Sequence, residues 1–86
     1  MNFTFYYDSH TIDSNEHVKD LNFYFRNKYN LNHKFILHDI SKKEVPKHLN
    51  YVPCVFIEDK GSILEVCNPY DKNFINIINN FYNLIY

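Results

Sequence analysis

Asp8, Ser9 and His10 stand side by side in "YYDSHTIDSNEHV", and together they carry the residue types of a nucleophile, base and acid relay. Such a relay needs three side chains converging from different parts of a fold, and adjacency in sequence does not supply that convergence. No hydrolase chemistry is therefore assigned. The two cysteines, Cys54 and Cys67, are the other candidate nucleophiles. Cys54 directly follows Pro53 in "NYVPCVFIED", an apolar run in which a thiol is more often an inert small hydrophobe than a reactive group. Five histidines, His10, His17, His33, His38 and His48, raise the question of metal, but none shares a helical i, i+4 face with another ligand. No metal site is expected. His10 is the one to follow into the structure, because it sits in the loop after an apolar run.

The bulk properties narrow the class of protein. Eighty-six residues make one domain, 1–86, with a single modest core. A formal net charge of −1 argues against a chain whose main task is holding phosphate backbones, so nucleic acid is not an expected partner. No apolar run approaches the roughly 20 residues that span a bilayer, and "MNFTFYYDSH" lacks the charged and apolar regions of a signal peptide. The expectation is a soluble protein with no membrane contact. Two cysteines are too few for a disulfide scaffold, which points to a reducing intracellular compartment such as the cytoplasm. Tyr and Phe number 8 each, Gly occurs once and Trp is absent, with Asn, Ile and Lys recurring throughout. That bias fits coding DNA rich in A and T, as in some protozoa, low-GC bacteria and large DNA viruses; a viral, virion-associated protein is among the expectations.

Positioning any site requires the elements around it. "NFTFYY" alternates and reads as a strand ending at "DSH". "DSNEHVKDLNFYFRNKYN" follows as a helix, with Asp13 and Glu16 as a capping box and Val18, Leu21 and Phe25 on one face. "HKFILHDIS" is a second strand, and "SKKEVPKHLN" places Pro46 at the first turn of a brief helix. "CVFIEDKGSILEVC" is a hairpin turning at Lys60 and Gly61. "NPYDKNFINIINNFYNLIY" is a last helix with Asn68 as N-cap, Pro69 at the first position, and a stripe of Phe74, Ile77, Ile78, Phe81 and Ile85. The order is β-α-β-α-β-β-α, an α/β chain whose first two strands are parallel and whose last two form an antiparallel pair, giving a four-stranded mixed sheet flanked by helices.

That order, with "VPCVFIEDKG" at the start of the third strand, resembles the thioredoxin fold and in particular the "VP-x-VFI" segment of glutaredoxins. The resemblance covers nearly the whole chain. It implies that Pro53 is the family's cis-proline at the first residue of a strand, where a missing N–H costs nothing. It also implies a Cys-x-x-Cys in the loop after the first strand, and this chain has no cysteine there. Superposition puts Thr11 and Ser14 at the two thiol positions, so that "TIDS" and His10 form a vestigial active-site loop. Hydroxyls cannot cycle through a disulfide, so dithiol oxidoreductase activity is not carried over. Glutaredoxins hold glutathione with a glycine pair after the hairpin; Glu65 and Val66 stand there instead and close off backbone approach, so no cofactor is expected.

The expectation is a redox-inactive, glutaredoxin-like binding or structural module rather than an enzyme, with a protein partner or self-association. Two readings stay open beside it: a thiol protein using Cys54 with or without Cys67, and a degenerate glutathione-binding domain. Counting outward from the turn sets Glu58 opposite Ile63, Phe56 opposite Glu65 and Cys54 opposite Cys67, in a pair whose Cα atoms approach to ~4.5 Å. Two reduced core thiols are expected there, with a strained, reducible disulfide as the alternative. The eight phenylalanines, Phe23 among them, are assigned mostly to the core. The tyrosines outnumber what such a core can bury and are assigned in part to a contact surface.

Overall fold

The computed structural model describes residues 1–28 and 34–83, without the side chains of 12–15, 82 and 83. The strands are β1 (Asn2–Tyr7), β2 (Lys34–Asp39), β3 (Cys54–Asp59) and β4 (Ser62–Cys67), with helices α1 (Ile12–Lys28) and α2 (Phe74–Asn83). They form one mixed sheet in the order β2-β1-β3-β4. β1 is parallel to β2, and β3 runs antiparallel to both β1 and β4. None of the described helices is long and apolar enough to cross a membrane.

Alternation decides which side chains meet the helices. Phe3, Phe5 and Tyr7 of β1 share a face with Phe35 and Leu37 of β2 and with Val55 and Ile57 of β3, because directly paired residues point the same way. α1 covers this face with Val18, Leu21 and Phe25, and α2 covers it with Phe74, Ile77 and Ile78. Asn22 lies on the same stripe of α1, buried, with its Nδ2 unpartnered among the described residues, which costs on the order of 1–3 kcal/mol. The opposite face carries Tyr6, Cys54 and Phe56, and only the partly buried Ile40, Leu49 and Val52 pack against it.

Several local expectations are corrected. Among the described residues there are two helices, not three. The segment around Pro46 forms a turn closed by Leu49 N–H donating to the Pro46 carbonyl at 3.2 Å, and no helix follows. Between Pro46 and Pro53 too few residues remain to offset helix nucleation, and Pro53 itself turns Val52 away from helical geometry. α1 begins at Ile12, so Asp13 lies inside its first turn rather than before it; its side chain is outside the described set. α2 begins at Phe74, later than Asn68 suggested. Asn68 Oδ1 accepts from Tyr70 N–H at 2.9 Å and Asp71 Oδ1 accepts from Asn73 N–H at 2.8 Å, so both side chains close local turns in place of a longer helix. Ile85 lies outside the described residues.

The hairpin brings a larger correction. Lys60 and Gly61 both have positive φ, 52° and 81°, which makes the two-residue turn, and Asp59 pairs with Ser62 as counted. A bulge at Leu64 then shifts the register: Glu58 pairs with Ile63, but Ile57 pairs with Glu65, Phe56 with Val66 and Val55 with Cys67. A one-residue shift exchanges the faces. Cys67 thus joins the helix-covered core while Cys54 packs with Tyr6 and Phe56 on the other side, so the thiols are not cross-strand neighbours. Both are free.

Phe23 is also misassigned by the sequence, being 70% exposed while Phe25 is fully buried. Two residues advance a helix by roughly 200°, so the two rings cannot share the core side. Phe25→Ala is expected to lower unfolding free energy by about 3–5 kcal/mol, whereas Phe23→Ala stays within about 0.5 kcal/mol, both read from urea unfolding.

Candidate functional site

Register brings the chemistry-bearing loops to one end of the sheet. Tyr7 pairs with Asp39 and Tyr6 with Cys54, so the residues after β1, the residues after β2 and the start of β3 lie together. The Val52–Pro53 bond leading into β3 is cis. In open α/β sheets the crevice beyond the carboxyl ends of parallel strands is the usual ligand position.

The centre of this end is Asp39, buried at the last position of β2. Its Oδ1 accepts from Ser9 N–H at 3.2 Å, from Ser41 N–H at 3.0 Å and from the Ser41 hydroxyl at 2.7 Å. Ser41 has given its hydrogen to the carboxylate, so the Ser9 hydroxyl donates to Ser41 Oγ across 2.8 Å. Ile40 N–H donates to the Tyr7 carbonyl at 2.9 Å, tying the same two loops through backbone. The other carboxylate oxygen, Oδ2, is buried without a partner among the described residues. Burial opposes ionisation of Asp39, but the bonds from Ser9 and Ser41 outweigh it and hold the carboxyl well below the usual carboxylate range. A carboxylate that acidic is too weak a base to take a proton from serine. The Asp39 network ties the loop after β1 to the loop after β2.

Asp8, Ser9 and His10 do not converge: Asp8 Oδ1 accepts from His10 N–H at 2.9 Å, while Ser9 turns toward Ser41. His10 and Thr11 are exposed. Thr11 N–H donates to the Asp8 carbonyl at 2.9 Å, which closes the turn before α1. Ser14 lies in the first turn of α1, with its side chain outside the described set. His17 stacks on Tyr70 at 4.4 Å and its Nε2 bonds the Pro69 carbonyl at 3.0 Å, linking α1 to the turn before α2. His38 Nε2 bonds the Glu44 carbonyl at 3.0 Å. A ring nitrogen bonded to a carbonyl must carry the hydrogen. Among the described residues no group of three or more His, Cys, Asp or Glu could hold a metal ion.

Both thiols are poor nucleophiles where they stand. Burial pushes Cys67 up to about 12, with Glu65 adding to it. Burial also raises Cys54, against the lowering effect of a hydrogen bond from Tyr51. Asp39, Ser41 and Tyr51 are the site residues that sequence reasoning missed. The pattern "HDIS" at a strand end, with an acid two residues before a serine, is a local turn signal for the first two; nothing local marks the contact with Ser9, thirty positions away.

No family model, curated protein or solved structure matches the chain.

Because the folded carboxyl of Asp39 is more acidic than an unfolded one, its contribution to stability is complete above the unfolded value of about 4 and fades as pH falls below it toward the lower folded value. The difference in urea midpoint between the wild type and Asp39→Asn should therefore be constant from neutral pH to about 5 and shrink steadily below about 4.

Proposed function

We propose that this chain is a thioredoxin-like, redox-inactive binding module. The observation that carries the reading is the fate of the thiols: both are buried, free and on opposite faces of the sheet, and the loop after β1 is pinned by Asp39 and two serine hydroxyls. Thiol exchange needs an accessible thiolate, and a dithiol cycle needs a second thiol within bonding reach. Support for the thioredoxin-like topology comes from the strand order β2-β1-β3-β4, with β1 and β2 parallel and Pro53 leading into β3.

The groove beside Cys67 is lined by Glu65 and Asp71, which disfavours an anionic tripeptide such as glutathione. Exposed Tyr24, Tyr51 and Tyr70 supply the kind of side chain that protein interfaces favour. The competing thiol reading rests on Cys54, where burial raises the pKa and the neighbouring Tyr51 side chain lowers it.

Neither insulin disulfide reduction nor glutathione-dependent reduction of a small mixed disulfide should exceed buffer. Both thiols should resist iodoacetamide in the native protein at neutral pH and react fully in urea. Turnover that disappears in Cys54→Ser would replace this reading with thiol catalysis.

A further inference from the structure

Tyr51, 47% exposed, lies between two grooves of opposite character. On one side a groove of about 460 Å³ runs where β4 ends beside α2, with Glu65 and Asp71 as its charged lining and Val66, Ile77 and Phe81 as its apolar lining. On the other side a smaller groove of about 220 Å³ is lined by Ile40, Val45, Leu49 and Val52. The same segment carries Lys42, Lys43, Lys47 and His48, all exposed, against the single acid Glu44. Turn hydrogen bonds hold this segment in place: Lys42 and Lys43 N–H groups both donate to the Asp39 carbonyl at 3.1 Å. Val45 and Val66 are 50% and 42% exposed, so each groove has an uncovered apolar lip; the acids line the larger groove, and the lysines are exposed on the segment that forms the smaller one.

We propose that this face is an isologous interface between two copies of the chain, with the twofold axis passing beside Tyr51, so that the lysine segment of each copy meets the Glu65 and Asp71 groove of the other. Two adjacent patches of opposite sign are self-complementary under a twofold rotation, because the rotation lays each patch on its opposite and forms the contact twice. A basic segment from a foreign protein would neutralise Glu65 and Asp71 but leave Val45 uncovered and the lysines unmatched. A second copy satisfies all four features at once. Tyr51, at the axis, would meet its own counterpart, a position suited to a large side chain that loses little entropy on binding. Charge pairs at such a rim govern encounter and register and are screened by salt. The inference rests on the reading of the chain as a binding module. A monomer without turnover would remove the dimer and leave the reading of inert thiols intact.

Sedimentation velocity across a concentration series, at low and at high salt, tests it with two variants. One carries Lys43→Glu with Lys47→Glu, which makes both patches acidic; the other carries Glu65→Lys with Asp71→Lys, which makes both basic. The wild type should dimerise, with a dissociation constant at least about tenfold weaker at high salt. Each variant alone should be weakened by about tenfold or more, and mixing the two should restore a dimer, because both contacts in the heterodimer are again between opposite charges. Circular dichroism establishes that each variant is folded, and Glu65→Lys alone replaces the double change if Asp71→Lys disturbs the start of α2. A monomeric wild type, folded variants that dimerise like the wild type, or folded variants that fail to associate when mixed would each overturn the proposal.

Discussion

A continuous chain of aromatic contacts holds the elements together. Phe3 of β1 stacks on Phe35 of β2 at 4.7 Å, Phe35 faces Phe25 of α1 at 5.9 Å, Phe25 meets Phe74 of α2 at 5.9 Å, and Phe74 returns to Phe5 of β1 at 6.1 Å. Offset stacks and edge-to-face pairs add to the area that these rings bury, and ring shape restricts how the helices can sit on the sheet. With a single glycine in the sequence and two helices on one face, this cluster is the only large apolar assembly among the described residues. The opposite face, centred on Tyr6, Cys54 and Phe56, is smaller and covered by an irregular segment instead of a helix.

That asymmetry bears directly on function. Because the helices take one face, the segment from Ile40 to Val52 must cover the other without regular structure, and its charged side chains are left outward. The same segment reaches the sheet end where β1, β2 and β3 bring their loops together. Asp39 closes that end by taking three hydrogen bonds on one oxygen, drawing the loop after β1 onto the loop after β2. A loop pinned by an ionised, buried carboxylate presents a fixed surface. Fixed surfaces suit recognition, since little ordering remains to be lost on binding.

The bulge at Leu64 has a similar reach. It sets Val66 beside Phe56 and sends Cys67 into the helix-covered core beside Val55, separating it from Cys54 by the sheet itself. It also irregularises an edge strand, a feature that blunts continuous strand addition along β4. The proposed contact near Tyr51 accordingly uses side chains and no added strand.

What the sequence by itself determined was set by short-range rules. Alternation defined β1, the 3.6-residue period put Val18, Leu21 and Phe25 on the core side of α1, and Lys60 with Gly61 specified the turn, since only adjacent residues are involved in each. Phe23 departs from the core assignment for the same local reason, since it stands two positions from Phe25 on the helix and so points away from the stripe that Phe25 shares. Other features were settled only when distant segments met. Pro46 carried a valid helix-start signal, yet Pro53 downstream left no length for a helix to form. Asn68 carried a cap signal that the turn through Asp71 and Asn73 diverted. The bulge at Leu64 depends on how β4 meets β3 and the core, which a count outward from the turn does not contain. Asp39 became the centre of the site only because parallel pairing brought Ser9 to it, and pairing between strands is a tertiary fact.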